Sequence, residues 1–401
     1  MNDLSDRPSQ TETTLDAMAR MAADGNAGWT TLPPDAYCNP EIHALEVEHI
    51  FKAGWIAIGR ADEVAEAGSF LTREIVGEPI AMIRGQDGIL RVFSNICRHR
   101  WMKLLDGRGR KAVITCPYHA WVYGLDGALR KAPDMDQHPT FKVDDIRLGQ
   151  LHHEIWQGFV YVNLDGRAEP LASRLSDLTP RIAAYGLDDW VTAGTVECFM
   201  IPWDWKVMQD NGECYHHAGL HPRTFQDVFP GEEAGAVTGN DWTMLWTPAR
   251  DSLLETTASG ETLMPDCYFE PLEGLDDFQR TNFMLVYVLP NFFIYLQPDC
   301  GLLIRVEPIA AGRCNMSGDL IVPRQAQALP DYQERLDRFT AFFNRFNDED
   351  TPVNTAIQKA LESGRGGPAP LSHLEAHNRH VAWWVASKLA GATATRTKSK
   401  S

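Results

Sequence analysis

The sequence has little of what would mark a membrane, secreted or nucleic-acid-binding protein. No stretch approaches the roughly eighteen uninterrupted apolar residues of a membrane span. The start, MNDLSDRPSQTETT, lacks the basic residues and apolar run of a signal peptide. Positive charge is scarce, because 37 Lys and Arg face 54 Asp and Glu, and the net charge of −17 disfavours nucleic-acid binding over most of the surface. We therefore expect a soluble cytoplasmic protein that binds neither membrane nor nucleic acid.

A compact disulfide framework is also missing. The eight cysteines are scattered along the chain, at positions 38, 97, 116, 198, 214, 267, 300 and 314. Cysteines stay reduced in the cytoplasm, and a pair of them close to histidines is more typical of metal binding. The apolar content of 44% is sufficient for a packed core, and 401 residues exceed one ordinary domain. We therefore expect two domains.

The distribution of apolar runs predicts what these two domains are. Short runs separated by tight-turn signals such as GQDG and GLDG predict a small all-β domain. Residues 281–309 predict long buried strands, and residues 331–346 predict an amphipathic helix. We predict an α+β chain in which the small β domain is inserted before a larger domain of antiparallel sheet and helices. The predicted parts are a flexible tail (1–28), a helical segment packing on the larger domain (29–55), the small domain (56–165), the larger domain (166–390) and a flexible tail (391–401).

A paired cysteine–histidine motif lies in the small domain. Its halves, Cys97-x-His99 and Cys116-x-x-His119, each lie where a predicted strand runs into a turn, so two facing loops can bring four side chains together. Thiolates suit iron–sulfur clusters or zinc. Zinc ribbons more often repeat C-x-x-C, whereas two cysteines and two histidines are the ligands of a Rieske [2Fe–2S] centre. The motif favours a Rieske cluster over a zinc site or a chance grouping of residues.

The two halves, CRHRW and CPYHAW, resemble the Rieske domain of the ring-hydroxylating and demethylating oxygenases. The family segments read C-x-H-R-G and C-P-Y-H-G-W, so Trp101 and Ala120 stand where those relatives have glycines. The resemblance implies four cluster ligands, namely Cys97, His99, Cys116 and His119.

A second group of metal-binding residue types lies in the larger domain, in WDWKVMQDNGECYHHAGLHP (203–222). Two histidines and a carboxylate can bind one face of an iron and leave positions open for dioxygen. Helical periodicity alone places Glu213, His217 and His221 on one face, at i, i+4 and i+8. A polar helix without a metal is the plain alternative.

The family resemblance implies a different choice within this segment. The Rieske oxygenase pattern is acid-x-Tyr-His-x4-His, which here makes His216 and His221 the iron ligands and leaves His217 a supporting or core residue. Glu213 is then the bridge that carries electrons from a cluster histidine of one subunit to an iron histidine of the next. The catalytic residues implied in this way are Glu213, Tyr215 and Gln209.

A third iron ligand is expected in the segment FNDEDTPV (346–353). In the demethylating branch of the family this ligand is an Asp eight residues before a Gln, a spacing that Asp350 and Gln358 match. We predict Asp350, with Asp348 as the second choice. The alternative is a helix that begins at Thr351, because acids are favoured near a helix start.

The resemblance extends over about residues 32–389 and implies the α-subunit of a Rieske non-haem iron oxygenase. Such a subunit takes electrons from a ferredoxin or flavin reductase, uses NAD(P)H only through that reductase, and oxidises a small molecule with O2 at a mononuclear Fe(II). The family also implies a head-to-tail homotrimer, because the two metals of one chain are too far apart.

The acid at the bridging position narrows the expected substrate. Most relatives have Asp there, whereas Glu213 resembles the carnitine-type oxygenases. Hydroxylation or demethylation of a quaternary ammonium compound is therefore predicted first, and oxidation of an aromatic or alicyclic carboxylate second. An electron-transfer-only Rieske protein and a zinc-bound structural protein are the alternatives of another class.

Basic residues are concentrated around the cysteine–histidine motif. Residues 98–131 contain eight Lys and Arg but two Asp, in a chain that is acidic as a whole. One interpretation is a solvated loop surface, and the other is a docking surface for an acidic electron donor, since complementary charge speeds encounter.

Overall fold

The structure, a computed structural model, describes residues 9–25, 28–213, 215–221, 233–248 and 268–399. The chain divides into two compact units, a smaller one of Lys52–Ala172 and a larger one of Met1–Phe51 with Ser173–Ser401. The predicted fold class is confirmed, because a small β domain precedes a larger domain of antiparallel sheet and helices. Within the described residues, no helix is long and apolar enough to cross a membrane.

The smaller unit is made of short antiparallel strands. They are β1 (Ile56–Arg60), β2 (Ser69–Ile75), β3 (Glu78–Arg84), β4 (Leu90–Ser94), β5 (Arg108–Arg110), β6 (Ile114–Thr115), β7 (Val122–Tyr123), β8 (Leu129–Lys131), β9 (His152–Trp156) and β10 (Phe159–Asn163). They form sheets in the orders β1-β10-β9, β4-β3-β2-β5 and β6-β7-β8. Cys97 and Cys116 belong to the apolar core of this unit, together with Phe93, Trp121 and Tyr123. The core therefore holds the two cysteine-bearing loops against each other.

One large antiparallel sheet organises the larger unit. Its strands are β11 (Trp190–Ile201), β12 (Gly235–Thr238), β13 (Trp242–Pro248), β14 (Asn282–Val288), β15 (Phe292–Leu296), β16 (Gly301–Ala310) and β17 (Arg313–Pro323). Their order is β11-β17-β16-β15-β14-β13-β12. Every residue of β14 and β15 is buried, which explains their nearly continuous apolar sequence and confirms the strands predicted in residues 281–309.

The α-helices are α1 (Gln10–Ala23), α2 (Pro40–Glu46), α3 (Leu171–Arg174), α4 (Thr179–Ile182), α5 (Trp205–Asp210), α6 (Asp277–Thr281), α7 (Tyr332–Glu362) and α8 (Ala376–Ser399). The amphipathic helix predicted over 331–346 is confirmed as the first half of α7, with Phe339 and Phe346 among its buried residues. The helix does not begin at Thr351, because α7 passes through Pro352. Pro352 removes one backbone donor, and the carbonyl left free four residues earlier belongs to Asp348, which is exposed to water.

Parts of both expected tails, residues 10–23 and 391–399, are helical in the structure. Ser9 and Glu12 form a capping box at the start of α1, and Leu15 and Met18 are buried where α1 packs on α8. Buried residues at 11, 14, 15 and 18 have helical spacing, so the expectation of a loose tail over 1–28 was wrong for α1. At the other end α8 continues to Ser399, since a helix that is already nucleated extends through a segment without proline.

Candidate metal and substrate sites

The two loops that hold the paired cysteine–histidine motif of the smaller unit have the same pattern of backbone hydrogen bonds. In residues 97–102 the Cys97 amide donates to the Met102 carbonyl at 2.8 Å, and the Trp101 amide donates to the Cys97 carbonyl at 3.1 Å. Residues 116–121 repeat this, with N···O distances of 2.8 Å from Cys116 to Trp121 and 3.1 Å from Ala120 to Cys116. We call these two segments the cluster loops.

The cluster loops bring the four predicted ligands together. The imidazole rings of His99 and His119 lie 4.6 Å apart, and the His99 ring stacks on Trp121 at 4.7 Å. Each imidazole has a buried Nδ1 with no hydrogen-bond partner within the described part of the chain. Two buried thiols and two inward Nδ1 atoms are the donor set of a Rieske cluster, with sulfur on one iron and nitrogen on the other. The residues therefore fit the predicted group.

Neighbouring groups adjust these ligands. The Tyr123 hydroxyl lies 3.3 Å from the Cys97 sulfur, where it can hydrogen-bond to a thiolate. Burial raises the pKa of the Cys116 thiol, with Cys97 nearby adding to the effect, so ionisation of that thiol needs a cation such as iron. Burial and the adjacent His119 lower the pKa of His99, which keeps its imidazole neutral for ligation.

The residues that replace the family glycines keep the glycine backbone conformation. Trp101 has φ 57° and Ala120 has φ 55°, both in the left-handed region. A residue with a Cβ in that region costs about 1–2 kcal/mol relative to the usual conformation. Both cluster loops therefore tolerate strain that a glycine would avoid.

A group of metal-ligand atoms lies in the larger unit, where the segment after α5 meets α7. Ligand atoms of His217, His221 and Asp350 all lie within 4.8 Å of one another. The His221 Nε2 is 3.4 Å from Asp350 Oδ1, and the His217 Nε2 is 3.9 Å from the same oxygen. Asp350 Oδ1 and His217 Nε2 are buried and have no hydrogen-bond partner among the described residues. Two imidazoles and one carboxylate in this state fit a ferrous ion.

Local contacts prepare this group for a metal. The Nδ1 of His221 lies 2.9 Å from Glu349 Oε2, so the carboxylate accepts that proton and leaves Nε2 as the ligand atom. Burial raises the pKa of Asp350 to about 6, and burial lowers the pKa of His217 to about 4. The sequence did not single out Glu349, which lies between Asp348 and Asp350. Adjacent residues of the helix α7 point in different directions, so Glu349 reaches the Nδ1 side of His221 while Asp350 faces the Nε2 side.

His216 is not part of this group among the described residues, so the geometry differs here from the ligand pair that the resemblance implies, and that pair stays a prediction. Its side chain is exposed, and its Nε2 lies 3.7 Å from Glu375 Oε2 instead. The chain turns after α5 ends at Asp210, and this turn directs adjacent histidines to opposite sides. The arrangement brings together His217 and His221, as helical periodicity alone had suggested.

The choice of Asp350 over Asp348 agrees with the geometry. Asp350, Asn354 and Gln358 share a buried face of α7, whereas Asp348 is exposed. The spacing between Asp350 and Gln358 is therefore that of residues i and i+8 of one helix. Such residues lie on the same face, which here is the face toward the interior of the larger unit.

The predicted bridging residue Glu213 is buried in the single chain. Its Oε1 accepts a hydrogen bond from the His377 amide at 2.6 Å, next to the start of α8. Its Oε2 is buried without a hydrogen-bond partner among the described residues. Burial raises the pKa of Glu213 to about 9, and the nearby Glu375 and Asp210 add to the effect. A carboxyl with one unsatisfied oxygen is able to accept a further group.

Tyr215 and Gln209, the other predicted catalytic residues, make structural contacts. The Tyr215 hydroxyl donates to the Leu374 carbonyl at 3.0 Å, and the buried Gln209 amide donates to the Pro290 carbonyl at 2.9 Å. The segment 372–378 thus contacts the metal-binding segment at several points, including Glu375 near His216. Sequence reasoning missed this segment, because nothing in its composition indicates that it lies beside residues 213–216.

A small aromatic cavity of about 20 Å³ adjoins the metal group. The Phe346 ring stacks on His221 at 4.6 Å, so one wall of the cavity touches a candidate ligand. No Asp, Glu, Lys or Arg among the described residues lines it. Its lining residues come from β14–β16 and α7: Phe283, Tyr295, Gln297, Cys300, Gly301, Leu302, Phe339, Phe342, Phe343 and Phe346.

Two family models match the chain. The Rieske [2Fe-2S] domain matches residues 54–142, and the catalytic domain of the ring-hydroxylating alpha subunit matches residues 186–391. The first match contains the cluster loops, and the second contains the candidate iron group. The sequence prediction of a Rieske domain before a catalytic domain is confirmed.

Individual relatives are similar to the chain in both sequence and fold. The carnitine monooxygenase oxygenase subunit of Acinetobacter pittii (strain PHEA-2) is 36% identical over 234 residues, which cover 57% of this chain and 62% of that relative. The glycine betaine monooxygenase oxygenase subunit of Chromohalobacter salexigens is 26% identical and covers 85% of this chain and 82% of that relative. A solved quaternary ammonium Rieske monooxygenase, described for carnitine oxidation and inter-subunit electron transfer, has a TM-score of 0.77 at 26% identity, over 92% of this chain and 98% of that chain.

Proposed function

Because the chain belongs to the ring-hydroxylating alpha-subunit family of Rieske oxygenases, we propose that it is the terminal oxygenase of a system that oxidises a quaternary ammonium compound. Its cofactors are the Rieske [2Fe–2S] cluster and a mononuclear iron, and its cosubstrate is O2. The observation that carries the substrate proposal is the aromatic cavity beside His221. An electron-transfer-only protein would need neither this cavity nor a second metal group.

The aromatic lining of this cavity suits the surface of a trimethylammonium group, which is larger than the present space and requires the lining side chains to move apart. Aromatic faces attract a cation, and the attraction grows when the cation is removed from water. The lining contains no acidic or basic side chain among the described residues, so a quaternary ammonium group would be recognised through aromatic faces rather than through an ion pair. The relatives named for carnitine and glycine betaine support the same substrate class.

The residues around the iron have separable tasks. When bound, the cluster supplies single electrons and the iron supplies oxidation of a substrate C–H bond with O2. His217, His221 and Asp350 would hold the iron, while Glu349 keeps the His221 ring in the tautomer that presents Nε2. Phe346 lies against His221 and also lines the cavity, so it connects the iron group with the cavity.

Electron delivery would involve other chains. We assign the donor role to a ferredoxin or flavin reductase and the assembly to a homotrimer in which a cluster of one subunit serves the iron of the next. Glu213 is proposed as the bridge, with its unsatisfied Oε2 toward a cluster histidine of the partner. In the single chain the carboxyl is buried, so assembly must give the partner access to it.

The substrate proposal is tested by oxygen uptake with a reductase and matched substrate pairs. Carnitine, glycine betaine and choline should stimulate uptake, whereas their tert-butyl isosteres, in which carbon replaces the cationic nitrogen, should stimulate it about thirtyfold less, since a desolvated cation–π contact is worth roughly 2 kcal/mol. Phe343→Leu, which keeps an apolar lining, should reduce this discrimination. Equal stimulation by both members of each pair, or stimulation by benzoate-type acids alone, would reject the quaternary ammonium class.

The bridge proposal is tested at Glu213. Glu213→Ala should retain both metals and a cluster that is reduced at the normal rate, yet lose almost all substrate oxidation. Glu213→Asp is one methylene shorter and should retain partial activity. Oxidation of a pre-reduced cluster by substrate and O2 measures the step, and a wild-type rate in the Ala variant would remove Glu213 from the path.

A further inference from the structure

The buried face of α7 changes from apolar to polar at the candidate iron group. On the cavity side its buried residues are phenylalanines, of which Phe346 is the last. Beyond Asp350 the same face continues with Asn354 and Gln358, which are both 1% exposed. A helix face that packs into an interior is normally apolar, and burial of an amide is unfavourable unless the amide is hydrogen-bonded. The polar half of this face therefore needs an explanation.

The polar residues of this face lead from the iron group to the surface of the chain. Asp350, Asn354, Gln358 and Glu362 follow one another at intervals of four residues, so each side chain is the neighbour of the next on the helix. Glu362, the last residue of α7, is exposed, and its Oε1 lies 3.5 Å from Gln358 Nε2 and 3.5 Å from the Arg313 guanidinium. We call Asp350, Asn354, Gln358 and Glu362 the polar file.

Asn354 is the member of the polar file whose hydrogen bonds are unsatisfied. Its Oδ1 and Nδ2 are both buried, and neither has a hydrogen-bond partner among the described residues. Gln358 differs, because its Oε1 accepts a hydrogen bond from the Asp204 amide at 3.0 Å, which explains its burial. Buried amides in proteins are almost always bonded to protein or to ordered water. An amide that offers one acceptor and one donor inside a row of polar groups suits a buried water molecule.

We propose that the polar file is a proton route from the surface at Glu362 to the iron group, in which Asn354 holds the water molecule that carries the proton through the buried middle. The inference rests on the proposed function in one respect, the oxidation of a substrate by O2. Hydroxylation follows R–H + O2 + 2e− + 2H+ → R–OH + H2O: the C–H and O–O bonds break, a C–O bond forms and one oxygen leaves as water. The donor supplies the two electrons, and bulk water must supply the two protons. Asn354 is a positioning residue, since an amide orients water without itself releasing a proton.

The polar file suits proton transfer better than the cavity side of α7 does. The cavity lining contains no Asp, Glu, Lys or Arg among the described residues, and phenylalanine rings carry no protons. The file also has space near its exposed end, because a Cβ at Gly312 would lie 2.8 Å from Gln358 Nε2 and glycine has none. Protons that arrive from the C-terminal side of Asp350 do not bring water into the cavity, which benefits from staying dry.

High-resolution diffraction from the full-length holoenzyme tests the water site without any turnover. The wild-type protein should show an ordered water within hydrogen-bond distance of the Asn354 amide. Asn354→Leu has a side chain of similar size that cannot hydrogen-bond, so it should lack this water while retaining the cluster and the mononuclear iron. A wild-type structure in which Asn354 bonds to another side chain and to no water would overturn the proposal.

Turnover in H2O and in D2O tests the proton route. Asn354→Leu should lower kcat by at least about tenfold, as expected when a proton transfer loses its positioned partner. Its KM for substrate should be unchanged, and its solvent isotope effect should exceed that of wild type, because the proton step becomes rate-limiting. Asn354→Ser leaves a hydroxyl and room for water, so it should recover much of kcat. Asn344→Leu is the matched control on the exposed side of α7 and should behave like wild type.

A merely structural role for Asn354 would give another pattern. Wild-type kcat in Asn354→Leu, or a lower kcat without a larger isotope effect, would overturn the route. If Asn354→Leu fails to fold or to hold iron, Glu362→Gln at the exposed end should raise the isotope effect in the same way, and an unchanged isotope effect there would also overturn the route. If wild type oxidises none of the quaternary ammonium compounds but another substrate, a larger isotope effect of Asn354→Leu with that substrate would reject the substrate class and support the polar file.

Discussion

The cluster site and the candidate iron site differ in how the chain supplies their ligands. The cluster ligands come from two loops that are close in sequence, have the same hydrogen bonds and belong to the same apolar core. The iron group combines an irregular turn after α5 with a residue of α7 far along the chain. Residue spacing alone indicates nearly all the predicted ligands of the cluster site. The ligands of the iron site also depend on the direction in which adjacent histidines point, which spacing does not give.

The two sites also differ in backbone strain and in the burial of their residues. The cluster loops carry exposed aromatic residues and two strained backbone positions at the surface of the smaller unit. In the iron group His221 and Asp350 are buried, and burial raises the pKa of Asp350 to about 6. A site that exchanges electrons with partners needs an accessible edge, whereas a site that handles O2 benefits from excluding water.

The largest effect is expected from removing a cluster ligand. Cys97→Ser or Cys116→Ser should abolish the visible spectrum and all turnover, because a hydroxyl is a poor ligand for a soft iron–sulfur centre. Mononuclear iron content should stay close to that of wild type, since the iron ligands lie in the other unit. Metal analysis together with absorbance measures both. Simultaneous loss of both metals would mean that the two sites are not independent.

Removing the acid of the iron group should have an equally complete effect on turnover but leave the cluster intact. Asp350→Ala should lose mononuclear iron, because two imidazoles are too few to retain Fe(II), and should keep the Rieske spectrum. Asp348→Ala is the matched control, on the same helix but exposed, and should keep both iron and activity. Iron loss in the Asp348 variant with retention in the Asp350 variant would reverse the assignment.

The neighbouring histidines sharpen the comparison further. The geometry predicts that His217→Ala loses iron, whereas His216→Ala keeps most of its iron and has reduced activity through the lost contact with Glu375. The family pattern predicts the opposite. Iron content of the two purified variants, normalised to cluster absorbance, decides between them, and iron loss only in His216→Ala would restore the ligand pair implied by the pattern.

The smallest effect concerns stability and pH. Because the folded pKa of Glu213 is about 9, above its usual value of about 4.5, the folded chain keeps a proton that the unfolded chain releases between these two values. Wild-type stability therefore falls as pH rises through this range. Glu213→Gln has no such proton and should be more stable at pH 8 than wild type, by on the order of a few kcal/mol at most. Thermal unfolding of both proteins at pH 5 and pH 8 tests this. The prediction would be contradicted if the stability difference between Glu213→Gln and wild type were no larger at pH 8 than at pH 5.

The sequence predicted more of the smaller unit than of the larger one. Alternating runs and turn signals located the small β domain, and fixed spacing selected the four predicted cluster ligands, such as Cys97 and His119, whose loops the structure brings together. The amphipathic spacing of α7 and the buried strands of residues 281–309 were also predicted correctly. These features depend on local periodicity, which residue type reveals directly.

What the sequence did not predict depends on long-range packing. The helix α1 was missed because its buried positions, Leu15 and Met18, have a partner only once α8 is folded. The contacts of residues 372–378 with Glu213 and Tyr215 connect segments that are distant in the chain. The distinction between His216 and His217 requires the direction of a turn, which spacing alone does not give.

Single-turnover oxidation tests the central claim most directly, namely that electrons from the cluster are used at a mononuclear iron to oxidise a quaternary ammonium substrate. The cluster is reduced chemically, the reductant is removed, and carnitine, glycine betaine or choline is added with O2. We predict that the visible absorption of the oxidised cluster returns rapidly and that an oxidised product forms when substrate is present. We predict neither result in the Asp350→Ala variant. The account would be contradicted if the absorption returned at the same rate without substrate, or in the variant that lacks the iron ligand, and no product formed.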